Sequence, residues 1–436
     1  MRKLLFFWNE LKATFWFLPV VILLFSVLLA LGFITLDAVV SLSQGGLGRY
    51  LFVNSVDAAR SILSTVSGAM IGVAGTVFSV TLVVLTLASS QLGPRLIKNF
   101  MYIRLNQIVL GSYISTYLYC LIVLNAIKET SDYSFVPSLS ILFALLAAVA
   151  NILLLIVFIH HTAVSIQADK VIADISAFIS RQVIVLFPEK MGNEISESVD
   201  LPVDKIKSVF PVIVSVKSPG SGYFQYLDSQ KLLTTVSNAD ALFELFYRPG
   251  DYLVEGMEIG KLFLKDNSGD NLVDKISFLF VIGRTKTAQQ DLEFSIHQMV
   301  EIAMRALSPG VNDPYTAIAC IDNLTATLCY LAQVEFPSKY RIDEQQQLRI
   351  IANRLDFEGV LNAAFLQIRQ FSLGSPAVII RLMEVLTIIH EFALKPEHKK
   401  AVIRHAKMTL FIGKESISDK NDLDDLIERA SQLIGE

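Results

Sequence analysis

The segment RTKTAQQDLEFSIHQMVEIAMRALSPGVNDPYTAI, residues 284–318, carries the densest set of side chains that could do chemistry. A carboxylate, a hydroxyl, an amide and a guanidinium recur along it at helical spacing, so they would share one face of a helix. These four are Asp291, Ser295, Gln298 and Arg305. Such a face could bind a polar ligand, or it could be a solvated surface with an ion pair between Glu301 and Arg305. Arg284 could pair with Asp291 or contact the same ligand, and spacing alone does not decide.

The end of this segment, RALSPGVNDPYTAI, predicts a corner between two helices. Pro309 and Gly310 end the first helix, because proline cannot continue the hydrogen-bond ladder and glycine tolerates positive φ. Asp313 is placed to cap the second helix, and Pro314 fits its first position. A structural corner therefore explains the composition. The corner could also have a function besides its structural role. The free amides at the N-terminus of the second helix could bind an anion, in competition with the Asp313 carboxylate. Alternatively, side-chain oxygens of the corner could hold a cation or a partner chain. Those oxygens belong to Ser308, Asn312 and Asp313.

A stripe of small and hydroxyl residues runs along the apolar segment 62–89 and just beyond it. Its members recur at spacings of three, four or seven and are Ser64, Gly68, Gly72, Gly75, Ser79, Thr86 and Ser90. Small residues let helix backbones approach closely, so the stripe could serve packing within one chain, the interpretation that we favour. Alternatively the stripe faces a symmetry axis and lines a pore, since hydroxyl and backbone groups can line a conduction path without charge.

The chain lacks the motifs of the common enzyme classes. It has no phosphate loop, HExxH motif or nucleophile elbow, and its three cysteines have no metal-ligand spacing. We therefore predict no enzyme activity, no metal and no cofactor. The net charge of −4 and the absence of a long basic run make nucleic acid an unexpected partner.

Hydropathy predicts an integral membrane protein. Of the 436 residues 53% are hydrophobic, and the mean hydropathy is +0.52, above the usual apolar share of soluble domains. Four segments have the roughly 20 apolar residues that a bilayer core requires. They are residues 14–36, 62–89, 108–127 and 138–160.

Loop charges predict the orientation of these spans. Basic residues precede the first span and separate the second from the third, whereas the opposite loops are nearly neutral. The positive-inside rule then places both termini and the C-terminal half in the cytoplasm of a bacterium, with the spans in the inner membrane. No span has a charged residue at its middle, which argues against a charge-coupled transporter.

The fold class that we predict is an α-helical membrane domain of four helices, residues 1–163, followed by a cytoplasmic α+β region. An amphipathic linker helix would occupy residues 164–200, continuing span four and ending at Pro188. Residues 201–283 predict a small β-rich module, because short β-branched and aromatic runs are broken by glycine and proline. Residues 284–436 predict a helical cytoplasmic domain, whose first helix has an apolar stripe at Leu292, Ile296, Met299, Ala303 and Ala306.

The β-rich module resembles the barrel-sandwich modules related to biotinyl and lipoyl carriers. The stretches SGYFQYLD and RPGDYLVEGMEIGKL carry this resemblance. Carriers have a modified lysine at a hairpin tip, and the corresponding stretch here, TTVSNADAL, has none. The resemblance therefore implies a fold, with a spacer or assembly role, and argues against a carrier function.

The segments LTLASSQLGPRLIKNFM and PGDYLVEG, and above all residues 284–318, resemble a bacterial family of predicted integral membrane proteins of unknown function. The resemblance covers nearly the whole chain and implies four spans, a cytoplasmic C-terminal region and no established activity. It would lead us to expect Gly and Arg near Ser295 and His297; if that Arg meets an anion or an acidic partner, His297 weakens the contact near neutral pH. The matching positions, which are our candidates for ligand or partner binding, are Arg284, Asp291, Gln298, Arg305, Ser308, Pro309, Gly310, Asn312, Asp313, Pro314 and Thr316.

Two functional hypotheses follow. The first is a homo-oligomeric channel or pore for small ions, with the second span near the pore axis and a cytoplasmic assembly or regulatory domain. The second is a membrane-anchored sensor or scaffold that binds a partner or ligand through its helical domain. The stripe on the second span favours the channel, because an anchor does not need hydroxyl groups there.

Overall fold

The structure, a computed structural model, describes residues 11–12, 14–39, 55–91, 93, 104–130, 133–165, 167–186, 193–194, 202–266 and 270–435. The chain forms two compact units, Met1–Gln167 and Ala168–Glu436. We call them the membrane unit and the second unit.

The membrane unit contains four helices that are long and apolar enough to cross a bilayer, which confirms the four predicted spans. They are α1 Phe17–Val39, α2 Val56–Gln91, α3 Arg104–Ala126 and α4 Ser138–Ser165. A short hairpin, β1 Lys128–Thr130 and β2 Tyr133–Phe135, connects α3 to α4. At 36 residues, α2 is about 54 Å long, well beyond a hydrocarbon core of about 30 Å.

Helix α3 is the centre of the membrane unit and packs against the other three helices. Its polar residues bond to Asn151, which is fully buried on α4. Ser112 donates to the Asn151 side-chain oxygen at 2.6 Å, and the Asn151 amide donates to Thr116 at 2.8 Å. At the start of α4, the Asp37 carboxylate accepts from the Ser140 backbone amide and hydroxyl. These bonds satisfy polar groups that would otherwise face apolar surroundings, so they fix the helix packing.

The second unit contains two sheets. Its strands are β3 Asn193–Glu194, β4 Val212–Lys217, β5 Gly222–Leu227, β6 Leu242–Leu245, β7 Tyr252–Leu253, β8 Glu258–Leu264, β9 Phe280–Gly283, β10 Tyr340–Ile342 and β11 Leu348–Ala352. The larger sheet has the order β3-β10-β11-β6-β8-β4 and the smaller one the order β7-β5-β9. Strands β6 and β11 pair in parallel, and the other described pairs are antiparallel.

The strand order does not confirm the barrel-sandwich comparison. Strands β4 and β5 flank the Pro-Gly-Ser-Gly turn as expected, but they enter different sheets. The stretch TTVSNADAL is the end of a helix and a turn rather than a hairpin tip, because Asp228 caps a helix over Ser229–Asn238. Strands β10 and β11 reach the larger sheet from residues 340–352, inside the region that the sequence predicted as helical.

The helices of the second unit are α5 Ala168–Leu186, α6 Val203–Ser208, α7 Ser229–Asn238, α8 Asp270–Ser277, α9 Leu292–Ala306, α10 Pro314–Gln333, α11 Phe357–Phe371, α12 Pro376–Phe392, α13 Pro396–Ser416 and α14 Lys420–Ile434. The predicted apolar stripe of α9 is buried along its whole length. Helices α5, α10 and α11 pack against α9. The core of this helical layer is therefore built around the segment that carries the candidate residues.

The prediction that span four continues without a break into the amphipathic helix is wrong. Helix α4 ends at Ser165, and α5 begins at Ala168 as part of the second unit. Its apolar residues Ile172, Ile175 and Ile179 are buried, and it packs on α9 and α10. The amphipathic pattern that predicted a linker thus reflects packing inside a domain. Pro188, the predicted end of this helix, lies outside the described residues.

Candidate functional site

The seven stripe residues on α2 all face outward from the membrane unit. A Cβ atom added at Gly68, Gly72 or Gly75 would meet nothing within 4 Å. By contrast, one added at Gly111 on α3 would lie 3.0 Å from Ile22 and Pro19 on α1. The favoured interpretation of the stripe as packing within one chain is therefore wrong, because the close helix approach of this unit is made at Gly111 instead.

The hydroxyl groups of Ser79, Thr86 and Ser90 in the stripe donate to carbonyl groups of their own helix. Ser79 donates to the Gly75 carbonyl at 2.9 Å and Thr86 to the Leu82 carbonyl at 2.9 Å. Such bonds satisfy the hydroxyl hydrogen without water. The stripe can consequently lie against lipid, a neighbouring helix or an aqueous path.

In the second unit, the parallel pairing of β6 and β11 brings two distant loops together. Leu245 and Ala352 are partners at the carboxyl ends of these strands, so the chain leaves both strands at the same edge of the sheet. Arg248 follows the first strand and Arg354 the second. The Arg248 side chain donates to the Arg354 carbonyl at 3.2 Å. In open sheets, ligands bind in crevices beyond the carboxyl ends of parallel strands.

A cavity of about 190 Å³ lies at this edge. Its walls are the loops after β6 and β11, the loop that enters α9, and the ends of α5, α7 and β10. The charged and polar side chains among the lining residues are Ser229, Tyr247, Arg248, Gln290, Asp291, Glu293, Arg341, Asn353 and Arg354. Apolar walls with a few convergent polar groups are typical of small-molecule sites.

The polar groups of the cavity are held in place by hydrogen bonds. Arg248 donates to Glu293 at 2.6 Å, and both side chains are about a quarter exposed. Arg354 donates to the Pro337 carbonyl at 3.1 Å, and Gln290 bonds to both backbone groups of Leu227. This network orients the lining before any ligand arrives, which reduces the ordering cost of binding.

Asp291 is the buried acid of the cavity and is 4% exposed. Its Oδ1 atom accepts from the Phe294 amide at 2.9 Å and caps α9, whereas its Oδ2 atom has no hydrogen-bond partner. Lys286 approaches Oδ2 at 3.8 Å. Burial raises the pKa of Asp291 to about 6, although the Phe294 amide and Lys286 lower it. The cation at Asp291 is thus Lys286 and not Arg284, which lies exposed on the loop before it.

The predicted candidates do not form one site. Asp291 lies at the start of α9 beside the cavity, whereas the corner lies at the other end of this helix, about 22 Å away for 15 residues. Gln298 is buried between them. Arg305 pairs with Glu301 at 3.7 Å, as its spacing predicted.

The corner has the structure that the sequence predicted. Asp313 caps α10, and its carboxylate accepts from the Thr316 amide at 3.1 Å and from the Thr316 hydroxyl at 2.6 Å. Ser308 donates to the Arg305 carbonyl, and Asn312 has a φ of +50°. Each of these features has a structural role, and a ligand at the corner remains a hypothesis.

The sequence analysis missed the three arginines of the cavity, Arg248, Arg341 and Arg354. The signal that could have found two of them is local. Each of the β-runs ALFELFYR and LRIIANR ends in a polar or aromatic residue followed by arginine. Only the parallel pairing of these two runs shows that the arginines share a cavity.

Comparisons with known proteins agree with the membrane architecture. The family model described as "Predicted membrane protein (DUF2254)" matches residues 12–387. Uncharacterized proteins of Mycobacterium bovis and Mycobacterium tuberculosis are 30% identical over 422 residues, which cover 95% of this chain and 79% of each relative. No solved structure matches the chain.

Proposed function

Because the chain belongs to the DUF2254 family of predicted membrane proteins, we propose that it is a membrane-anchored sensor whose second unit binds a small ligand in the cavity beside Asp291. The four spans hold it in a bacterial inner membrane with both termini in the cytoplasm. This orientation rests on the basic residues before span one and between spans two and three. The second unit then samples the cytoplasm.

The observation that supports this function best is the cavity at the paired carboxyl ends of β6 and β11. Its polar groups come from chain segments more than 100 residues apart, such as Arg248 and Arg354. They converge on one space together with a buried acid, Asp291, whose pKa is shifted toward neutrality. A buried acid with a perturbed pKa, lying in a cleft beside specific charged partners, is a candidate for a functional site.

A ligand screen tests this proposal. Full-length protein in lipid nanodiscs is melted with small metabolites of anionic, neutral and cationic classes. A ligand at 100 times its dissociation constant should stabilise the folded state by about 2.7 kcal/mol. Ser229→Trp, which adds volume inside the cavity, should abolish the effect, and Ser431→Trp on the exposed face of α14 should preserve it. If Ser229→Trp keeps every response, the ligands bind elsewhere and the proposal is wrong.

A homo-oligomeric channel for small ions is the second candidate, and the outward stripe on α2 favours it. A helix face of small residues, open to a neighbouring copy, suits close packing around an axis. Single-channel recording of Gly72→Leu tests this function, with Gly111→Leu as the matched variant. Gly72→Leu should change conductance while the fold is kept, because the added side chain meets nothing in its own unit. Gly111→Leu should instead unfold the helix packing against Ile22. Unaltered currents in Gly72→Leu, or silent bilayers with folded wild-type protein, would exclude the channel.

A further inference from the structure

We infer that the second unit binds a small inorganic anion, such as chloride or phosphate, at the guanidinium group of Arg369 between α11 and α13. Arg369 is not among the residues that line the cavity beside Asp291. The anion site is therefore separate from the proposed ligand cavity, and the inference does not depend on it. It follows from a buried positive charge without a counter-charge and from the groups that surround this charge.

Arg369 is a buried cation in the last turn of α11, and it is 8% exposed. Arginine is rarely buried to this extent unless its charge is paired, because taking an ion out of water costs several kcal/mol. A comparison within the same unit shows the usual arrangement. Arg349 is also 8% exposed, and it donates to both Asp343 and Asp240 at 2.6 Å.

Arg369 has no such carboxylate. Its Nε atom is buried without a hydrogen-bond partner, and within the described ranges no acid forms an ion pair with it. Burial lowers the pKa of both arginines. At Arg349 the bonds to Asp343 and Asp240 outweigh burial and the pKa is raised, whereas at Arg369 the pKa stays lowered. Arg369 is thus a buried charge that the described protein groups do not compensate.

The guanidinium lies at the contact of two helices that run in the same direction. Glu358 and Asn362 on α11 bond to the successive residues Arg404 and His405 on α13. Arg369 follows Asn362 by seven residues, close to two helical turns, so it lies on the face of α11 that meets α13. Burial lowers the pKa of His405, and the charges of Arg369 and Arg404 lower it further. The Arg369 guanidinium therefore lies near the imidazole ring.

His405 adds a second buried group without a partner at this place. The ring is 1% exposed, its Nε2 atom lies 3.0 Å from the Asn362 oxygen, and its Nδ1 atom has no hydrogen-bond partner. The C-terminus of α11 contributes only partial negative charge. An anion would supply the missing charge and accept from the guanidinium, which has five N–H donors and no acceptor. Because Arg369 is almost enclosed, a small anion fits better than a bulky one.

Thermal melting of the full-length protein in nanodiscs tests this site at constant ionic strength. Gluconate, a bulky anion, is replaced stepwise by chloride or, in a parallel series, by phosphate. We expect the wild type to melt a few degrees higher after either replacement, since a bound anion stabilises the folded state. The anion that acts at the lower concentration shows whether the site prefers a halide or an oxyanion. Phosphate also stabilises proteins by exclusion from their surface, so variants must locate the effect.

Arg369→Met removes the charge and keeps most of the apolar volume. In gluconate this variant should melt a few degrees above the wild type, because replacing an unpaired buried ion by an apolar side chain is stabilising. The response to chloride or phosphate at this site should be lost. The matched control is Arg181→Met on α5, where the arginine is exposed and donates to the Ala177 carbonyl. It should leave the anion response unchanged.

Arg369→Lys keeps the charge but loses the planar fork of donors. It should still respond to the anion, at a concentration about tenfold higher than the wild type requires, because charge-assisted hydrogen bonds are lost. An equal anion response in the wild type and Arg369→Met would show a general salt effect and overturn the inference. A methionine variant that melts below the wild type in gluconate would also overturn it, since the guanidinium would then be satisfied without an anion.

Discussion

Gly250 lies directly against the carboxylate of Asp291. A Cβ atom at position 250 would overlap Oδ2 and the carboxyl carbon of Asp291, and Gly250 also has a φ of +102°. The contact joins the loop after β6 to the start of α9. These are two walls of the cavity, so a close backbone approach sets the distance between Arg248 and the buried acid.

Gly250→Ala should therefore destabilise the second unit strongly. We expect a loss of about 2–4 kcal/mol, since the added methyl group combines positive-φ strain with an overlap in a packed site. The matched control is Gly256→Ala in the same loop region, where φ is +79° and no atom lies within 4 Å of the added Cβ. Strain alone should cost about 1 kcal/mol there. Equal melting points of the two variants would contradict the Gly250–Asp291 contact.

The stability effect of Asp291→Asn should depend on pH. Burial raises the pKa of Asp291 from 3.8 to about 6, so the folded state keeps this proton to a higher pH than the unfolded state does. Stability attributable to this group is therefore lost as pH rises from about 4 to about 6, by about 2–3 kcal/mol in total.

Asparagine can still accept from the Phe294 amide and carries no charge. Asp291→Asn should consequently melt at a higher temperature than the wild type at pH 8, and the gain should disappear by about pH 4. Melting curves of both proteins from pH 4 to pH 8 measure this difference in melting temperature. A difference that does not vary with pH would show that Asp291 is not a buried titrating acid.

His405 should give a pH dependence of stability opposite in sign to that of Asp291. It is 1% exposed, its Nε2 atom lies 3.0 Å from the Asn362 side-chain oxygen, and burial, with Arg369 and Arg404 nearby, lowers its pKa to about 4. The unfolded state binds the proton first, so stability falls as pH drops from about 6.5 to about 4, by about 3 kcal/mol. In His405→Gln this part of the pH dependence should vanish, whatever the variant's overall stability. An unchanged slope of melting temperature with pH would contradict a neutral buried histidine.

The corner should respond to substitution as a helix cap does. Asp313→Ala removes the acceptor of two bonds from Thr316 and should lose about 0.5–2 kcal/mol. Asn312→Gly, which accepts the observed positive φ without strain, should be close to neutral. Thermal melting compares the two. If Asp313→Ala melts like the wild type but loses ligand or partner binding, the corner is a functional site rather than a cap.

The membrane helices could be predicted because their signal is local. A run of apolar residues must span the bilayer whatever it packs against, and each of the four predicted runs overlaps one of the four long apolar helices. The start of α10 was predicted correctly for the same reason, because two adjacent residues, Asp313 and Pro314, are enough to specify a helix start. The direction in which the α2 stripe faces was not predictable, because it depends on which helices pack closely together. The close packing is between α1 and α3 at Gly111 and does not involve the stripe.

The cavity could not be predicted because it depends on pairing over a long sequence separation. Leu245 and Ala352 are parallel partners, and no turn or spacing in the sequence links them. Asp291 was found from its position in a polar stripe, but its neighbours Lys286 and Gly250 were not. Burial, which shifts the pKa of this acid, is a property of the assembled sheet and helices.

Access to the cavity can be measured directly with a cysteine at its wall. Ser229→Cys is reacted with a small thiol reagent, with and without a ligand identified by the melting screen, and Ser431→Cys on the exposed face of α14 is the reference. The native Cys120, Cys320 and Cys329 are buried, so they contribute little background. A ligand that binds in the cavity predicts a slower reaction at position 229 and an unchanged rate at position 431. A rate at position 229 that the ligand does not change would contradict ligand binding in this cavity.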